Sequence, residues 1–390
     1  MFFVGIDVSL EKHDCCILDQ SLRLVNAFTI CNNRSGFDSL AAILADLACS
    51  DDVKIGLEAT GIYGNNLVNF LRRKGYGVSI INPLLSKKHL SATTLRKTKT
   101  DKSDARNIAL IVASEDSQPD LPVSYHTSEL KSLCRARFFL VKDRSALKNR
   151  VKRLVTMLFP ELLHEFSNLF GASGMAILRR YPSAMQLAGC HVDTLANLLR
   201  KTSRGAFGKA KALYLRDLAK TSVGTYSDAA ELELCMHLER MELLDRQIMQ
   251  MESKIRCIMV EMDSPILSIK GIGFILGAAI LSEIGDIHRF ASPSKLLAFS
   301  GSEPSIYQSG KFTPSSGKMV KRGSTFLRYA LFQAAGCVAQ NSLTFADYRN
   351  KKLLEGKPNA VVRSHLVKKL VRVIFALLSN NSSFVDQIPA

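Results

Sequence analysis

The chain lacks any Cys-x-x-Cys pair and any His-Glu-x-x-His motif, so neither a zinc site nor a disulfide framework is expected of its nine scattered cysteines. It lacks long apolar runs as well. The longest, Gly271 to Ser282, is too short to span a bilayer and has Glu283 beside it, which disfavours a membrane protein. The opening MFFVGID has no basic segment before its apolar stretch and places Asp7 inside it, unlike a secretory signal. A cytoplasmic protein with reduced thiols and no membrane partner is expected. Acidic residues are the scarce charge: 35 Asp and Glu stand against 52 Lys and Arg, a net charge of +17. An excess of that size points to a polyanionic partner, nucleic acid before membrane.

What is present suits a folded protein of two or three domains, with 47% hydrophobic and 22% charged residues in 390. FFVGIDV (2–8), CCILD (15–19) and RLVNAFTI (23–30) read as strands. Phe37, Leu40, Ile43, Leu44 and Leu47 share one helical face. VKIGLEA (53–59) and GVSIIN (77–82) read as further strands, with a helix over 65–74 between them. Strands alternating with helices predict an α/β domain around a central sheet.

Residues 128–158 read as a helix of unusual charge. The stretch 126–157 holds Lys131, Arg135, Arg137, Lys142, Arg144, Lys148, Arg150, Lys152 and Arg153 against Glu129 and Asp143 alone. It is either a solvated face or a surface for phosphates, and so dense a surplus favours phosphates. A second long helix is predicted over 228–262. Leu234, His237, Met241, Leu244, Ile248, Met251, Ile255, Ile258 and Met262 form a coiled-coil seam with one polar member. Its partner is either the basic helix or a second copy of the chain. Residues 160–227 carry little pattern beyond a Gly/Ser-containing linker near 202–208.

ILSIKGIGFILGAAILSEIG (266–285) places Gly271 and Gly273 between two apolar helical segments, as in a helix-hairpin-helix. The glycines serve either close helix packing or the approach of backbone N–H groups to a phosphate. A Gly/Ser/Pro-rich basic stretch follows at 300–324, then helices over 326–338 and 361–378.

The acidic residues that remain are placed oddly. KTKTDKSDARNIA (97–109) holds Asp101 and Asp104 three apart, on one helical face and roughly 5–6 Å from each other. They are either an N-cap with a first-turn acid or a pair awaiting a divalent cation. Asp7 sits inside the first strand, where an unpaired charge is expensive. Glu58 ends a hydrophobic strand. One early strand, a later strand end and a helix start are where ribonuclease H-like domains gather carboxylates for metal-assisted phosphoryl chemistry.

GIDVS (5–9), GLEATG (56–61) and KTDKSDA (99–105) resemble the DEDD motifs of a family of insertion-sequence transposases that includes the Piv-type DNA invertases and the bridge-RNA-guided recombinases. SEIGDIHRF (282–290), LAFSGSEPSIYQSGK (297–311), KRGSTFLR (321–328) and the tail at 356–370 resemble the family's C-terminal motif. Ser302 departs from the pattern, standing where the family usually has an apolar residue. The resemblance implies that Asp7, Glu58, Asp101 and Asp104 bind two Mg²⁺ ions and that Ser309 is the nucleophile on the scissile phosphate. A serine hydroxyl needs such activation, and a phosphoserine would keep the energy of the broken phosphodiester for rejoining. Lys311, Lys318, Lys321, Arg322 and Arg328 are expected phosphate contacts beside it.

The expected organisation is a RuvC-like α/β metal-binding domain (1–127), a basic helix, linker and coiled coil (128–264), and a mostly helical C-terminal transposase domain with the serine motif and the hairpin (265–390). The implied function is a prokaryotic transposase or recombinase that cuts and rejoins DNA at element ends and target, guided by a structured noncoding RNA and assembled as a dimer or tetramer. Lys148, Arg150, Lys152 and Arg153 are the expected RNA contacts, and Gly271 and Gly273 further nucleic-acid contacts. The alternatives are a site-specific invertase, a Holliday-junction nuclease that uses water, and a DNA-binding architectural protein without chemistry.

Overall fold

The computed structural model describes residues 1–58, 63–81, 83, 86, 87, 89, 101–114, 125–304 and 319–387, in two compact units, Met1–Val123 and Ser124–Ala390. The first unit is built on a five-stranded sheet of β1 (Phe2–Val8), β2 (Lys12–Leu18), β3 (Leu24–Cys31), β4 (Val53–Glu58) and β5 (Gly77–Ile81), in the order β3-β2-β1-β4-β5. β2 runs antiparallel to β1 and β3, while β1, β4 and β5 are parallel. The sheet is therefore mixed, with β2 antiparallel to both of its neighbours.

Strand alternation divides the core in two. Val4, Ile6 and Val8 of β1 and Val53, Ile55 and Leu57 of β4 pack with Leu40 and Leu44 of α1 (Arg34–Leu47) and Leu67 and Leu71 of α2 (Asn65–Arg73). Phe3, Cys16, Leu18 and Ile81 face the other way, toward Ile108 and Val112 of α3 (Asp101–Ala113). Two glycines let that helix come close. A Cβ on Gly5 would lie 2.1 Å from the Ala105 carbonyl oxygen, and one on Gly56 would lie 2.2 Å from Val112 Cγ2. β2 begins three residues before the expected start because two polar residues are buried in it. His13 stacks on Phe37, and Asp14 accepts a 2.6 Å hydrogen bond from the Thr29 hydroxyl.

The second unit is helical. α4 (Tyr125–Leu158) and α9 (Asp228–Met262) lie along each other, and α5 (Ala172–Arg180), α6 (Ala184–Ala188), α7 (Val192–Thr202) and α8 (Lys209–Lys220) close a core with them. Val151 and Leu154 meet Leu195, Leu199 and Leu215 there, with Leu234 and Met241 of α9. These four short helices occupy the region where the sequence shows little pattern. The far end of α9 supplies Ile255 and Met259 to a second core, shared with α10 (Phe274–Ile284), α11 (Pro293–Ser300), α12 (Thr325–Asn341), α13 (Leu343–Leu354) and α14 (Asn359–Asn380). The apolar seam of α9 is therefore covered within the chain, and the basic helix is its partner. Among the described residues no helix is long and apolar enough to cross a membrane. All nine cysteines are free thiols.

Candidate functional site

The β1–β4 register sets Ile6 opposite Leu57, and Asp7 and Glu58 are the next residues along these two parallel strands. Adjacent strands lie about 4.8 Å apart. Asp7 follows Gly5 by two residues and Glu58 follows Gly56 by two, so both carboxylates stand on the face that α3 covers. α3 begins at Asp101, and Asp104 in its first turn is buried. The fold thus brings Asp7, Glu58 and the first turn of α3 to one end of one sheet face. The side chain of Asp101 lies outside the described residues. Among the described residues no three His, Cys, Asp or Glu side chains stand close enough to grip a metal ion as they are. The donors are nonetheless all carboxylate oxygens, the chemistry a hard divalent cation requires, and the glycine floor leaves α3 free to approach.

Two further polar residues belong to this face. Asp14 is the direct cross-strand partner of Asp7, buried, bonded to Thr29 and 3.4 Å from the Lys12 ammonium. Hairpin pairing of the first two strands would have located it, had His13 and Asp14 been recognised as strand residues. Asn107, one turn beyond Asp104, donates to the carbonyl and hydroxyl oxygens of Ser86 at 3.0 and 3.1 Å and lies 2.6 Å from His89 Nδ1. It ties that short segment to α3. On the opposite face, burial, with Asp14 and Cys16 adding to it, pushes the Cys15 thiol up to about 12.

Ser309 and Lys311 lie outside the described residues, as does Lys318. The stem on either side of that segment, up to Pro304 and from Met319, is described. Pro304 bridges Met319, Val320 N–H donates to Glu303 O at 3.0 Å, and Lys321 N–H donates to Gly301 O at 3.0 Å. Gly301 ends α11 with φ +65°, and Gly323 has φ +133° with its Cα facing the Phe299 carbonyl too closely for any side chain. Lys321 and Arg322 are exposed on this stem. Arg328 turns inward and donates to Ser300 O and Lys321 O, both at 3.2 Å, so it braces the stem. Ser302 is buried, and its hydroxyl has no hydrogen-bond partner among the described residues.

Below the stem, Arg135 of α4 grips the buried Glu283 of α10 with two hydrogen bonds of 2.7 and 3.1 Å. The Ser324 hydroxyl, which caps α12, donates to the same carboxylate at 2.8 Å. Burial opposes ionisation of Glu283. The Arg135, Lys131 and Ser324 groups outweigh it and hold the carboxyl below its ordinary range.

The basic helix splits into two faces. Arg137 pairs with Glu252 at 2.7 Å and Arg144 with Asp245 at 2.6 Å, both acids on α9, so with Arg135 these cations hold the helices together. Lys148 lies over the Phe170 ring at 5.1 Å. Arg150, Lys152 and Arg153 are exposed, with no ion pair among the described residues. In the hairpin, Gly271 has φ +98°, and a Cβ there would lie 2.7 Å from Cys337 O; it serves close packing against α12. Gly273 caps α10 with open space around it.

Comparison with known proteins matches residues 4–160 to a DEDD-type model described as a transposase, and residues 263–350 to one described as Transposase IS116/IS110/IS902 family. The mini-circle putative transposase for IS117 of Streptomyces coelicolor is 26% identical over 99% of this chain and 95% of its own length. The pilin gene-inverting protein of Moraxella bovis is 23% identical over 99% of this chain and 98% of its own. A solved Thermus thermophilus RuvC structure covers 28% of this chain and 92% of its own, at 14% identity and a TM-score of 0.23.

Proposed function

Because this chain belongs to the DEDD transposases of insertion sequences, which cut and rejoin DNA, we propose that it does so with a serine nucleophile working beside a carboxylate-bound divalent metal. The observation that supports this most is the gathering of Asp7, Glu58 and the first turn of α3 on one sheet face. Four carboxylates there, Asp7, Glu58, Asp101 and Asp104, would hold two Mg²⁺ ions. Bound there, the ions would supply Lewis-acid stabilisation of the attacking and leaving oxygens.

Ser309 Oγ attacks the scissile phosphorus and loses its proton. A serine–phosphate bond forms as the phosphorus–oxygen bond of the strand breaks, and the freed sugar hydroxyl takes a proton. Attack by a hydroxyl of the second strand reverses these steps and releases the serine, so no external energy source is needed. Lys321 and Arg322 on the stem hold the flanking phosphates, with Lys311 and the open backbone at Gly273 as further contacts. Half the chain's length separates the serine from the carboxylates in sequence, which suits a dimer or tetramer in which units of different copies cooperate. The exposed cations Arg150, Lys152 and Arg153, with Lys148, hold a structured guide RNA.

The test is strand cleavage with Mg²⁺ on DNA carrying the junction of the element's ends, with flanking noncoding RNA supplied and denaturing analysis for protein–DNA adducts. A covalent adduct in the wild type, lost in Ser309→Ala and Asp104→Ala, is expected. Cleavage without an adduct, surviving in Ser309→Ala but not in Asp104→Ala, would show a nuclease that uses water and sink the serine assignment.

A further inference from the structure

A cleft of about 210 Å³ opens between α11 and α14, lined by Ser294 and Leu297, by Pro304 of the stem, and by Lys368, Val371 and Arg372. That is several times the ~30 Å³ a liquid water occupies. Lys368 and Arg372 stand one turn apart on α14, and neither has a carboxylate or hydrogen-bond partner among the described residues. No acidic side chain is among the described residues that line the cleft. Across from the two cations lies the start of α11. Pro293 is its first residue and has no N–H, and Ser292 caps the Lys295 N–H, which leaves the Ser294 N–H and hydroxyl as donors of that first turn.

The field along this part of α14 is positive. Burial, reinforced by Lys357, Lys368 and Lys352, holds His365 below the ordinary imidazole range. Two cations unpaired among the described residues, a helix start and a lining with no carboxylate among those residues favour a tetrahedral oxyanion held by a point charge and a planar fork. Pro304 is bridged to Met319, so the cleft adjoins both ends of the segment that carries Ser309 in sequence.

We propose that this cleft binds a backbone phosphate of the DNA, with Lys368 and Arg372 as its cations and the first turn of α11 as its third wall. The contact positions the strand and reads no bases. The identity of the polyanion rests on the transposase reading above; the presence of a phosphate site does not depend on Ser309 being the nucleophile.

The experiment is equilibrium binding of the full chain to a fluorescent duplex carrying the element's end junction, across a series of NaCl concentrations, in a Ser309→Ala background that blocks the proposed chemistry. Lys368→Gln/Arg372→Gln should weaken binding about tenfold and lower the salt slope by about one. Ser294→Glu should weaken binding likewise while melting at or above the wild-type temperature, because an acid in the first helical turn suits the dipole yet repels a phosphate. Lys201→Gln/Arg204→Gln, at two exposed positions in the last turn of α7 and just beyond it, removes the same net charge and should change neither quantity.

Wild-type affinity and slope in both cleft variants would overturn the proposal. So would an equal loss in the α7 control, or weakened binding of RNA with DNA binding intact. A Ser309→Ala protein that still forms adducts would refute the serine reading and leave the binding comparison standing.

Discussion

Asp7 of β1 and Asp14 of β2 are directly paired across an antiparallel ladder, so two carboxylates project from one sheet face as nearest cross-strand neighbours. Like charges so placed repel. Asp14 is restrained by the Thr29 hydroxyl at 2.6 Å and by Lys12. Its orientation belongs to the carboxylate site even though it was not among the four acids expected to bind metal.

Asp14→Asn keeps a hydrogen-bond acceptor for Thr29 but removes the charge. It is expected to lower Mg²⁺ affinity in strand cleavage about tenfold, the usual cost of disturbing a partner behind the ligands. Asp7→Asn should abolish cleavage at any Mg²⁺ concentration. Titrating Mg²⁺ against cleavage rate separates the two, and a wild-type curve for Asp14→Asn would remove it from the site.

Gly5→Ala places a methyl against the Ala105 carbonyl, where the available gap is 2.1 Å. Helix α3 must shift away from the sheet, carrying Asp104 with it. A loss of about 1–3 kcal/mol in stability is expected, together with a fall in cleavage at saturating Mg²⁺. Denaturant midpoints and cleavage rates on the same preparations check both.

Glu283 supplies an acid-sensitive joint in the second unit. Its folded carboxyl titrates below the ordinary range, so its contribution is complete above that range and is lost as pH falls through the lowered value. Asp386 behaves in the same sense. Burial raises its pKa, but hydrogen bonds from the Thr344 and Leu343 N–H groups and the Ser342 hydroxyl outweigh that. Stability should therefore decline on acidification below about pH 4.5, the ordinary glutamate value. The decline should be shallower in Glu283→Gln. Glu283→Ala strands the Arg135 guanidinium and is expected to cost about 2–4 kcal/mol at neutral pH, measured by denaturant unfolding.

Ser302 hides a hydroxyl with no partner among the described residues. Ser302→Ala removes that unsatisfied group at nearly constant volume and should stabilise the second unit by about 1 kcal/mol. An unchanged or lower midpoint would mean that the hydroxyl bonds to something nearby.

Replacing Arg150, Lys152 and Arg153 with Gln should weaken binding of the element's flanking RNA and lower its salt slope by about two to three, with the melting temperature unchanged. Arg144→Gln should do the reverse, because its guanidinium is committed to Asp245. Equal effects of both on RNA would show that the two faces of α4 are not divided in this way.

Much of the fold was legible because apolar periodicity reports burial directly. Short β-rich apolar runs in FFVGIDV and VKIGLE marked the strands, and the long stripe from Leu234 to Met262 marked α9. The start of β2 was not legible, because His13 and Asp14 are polar residues buried inside the fold. Helices α5 to α8 are short, and their apolar residues become a stripe only once packed on α4 and α9. Within the basic helix, sequence counted charges but could not tell Arg137 and Arg144, which face Glu252 and Asp245, from Arg150 and Arg153, which face solvent. That distinction needs the partner helix. Gly271 likewise reads as a phosphate contact until the backbone of α12 is seen against it.

The parallel pairing of β1 with β4 also restricts how this chain can change in length. Side chains alternate between faces along a strand, so inserting or deleting one residue between Gly5 and Asp7 would turn Asp7 toward the apolar side of Leu40 and Leu67, with every ladder hydrogen bond still available. A change of two would return it to the side of α3 at a different height. The carboxylate thus has a parity as well as a position, and related chains should vary here only in steps that preserve it.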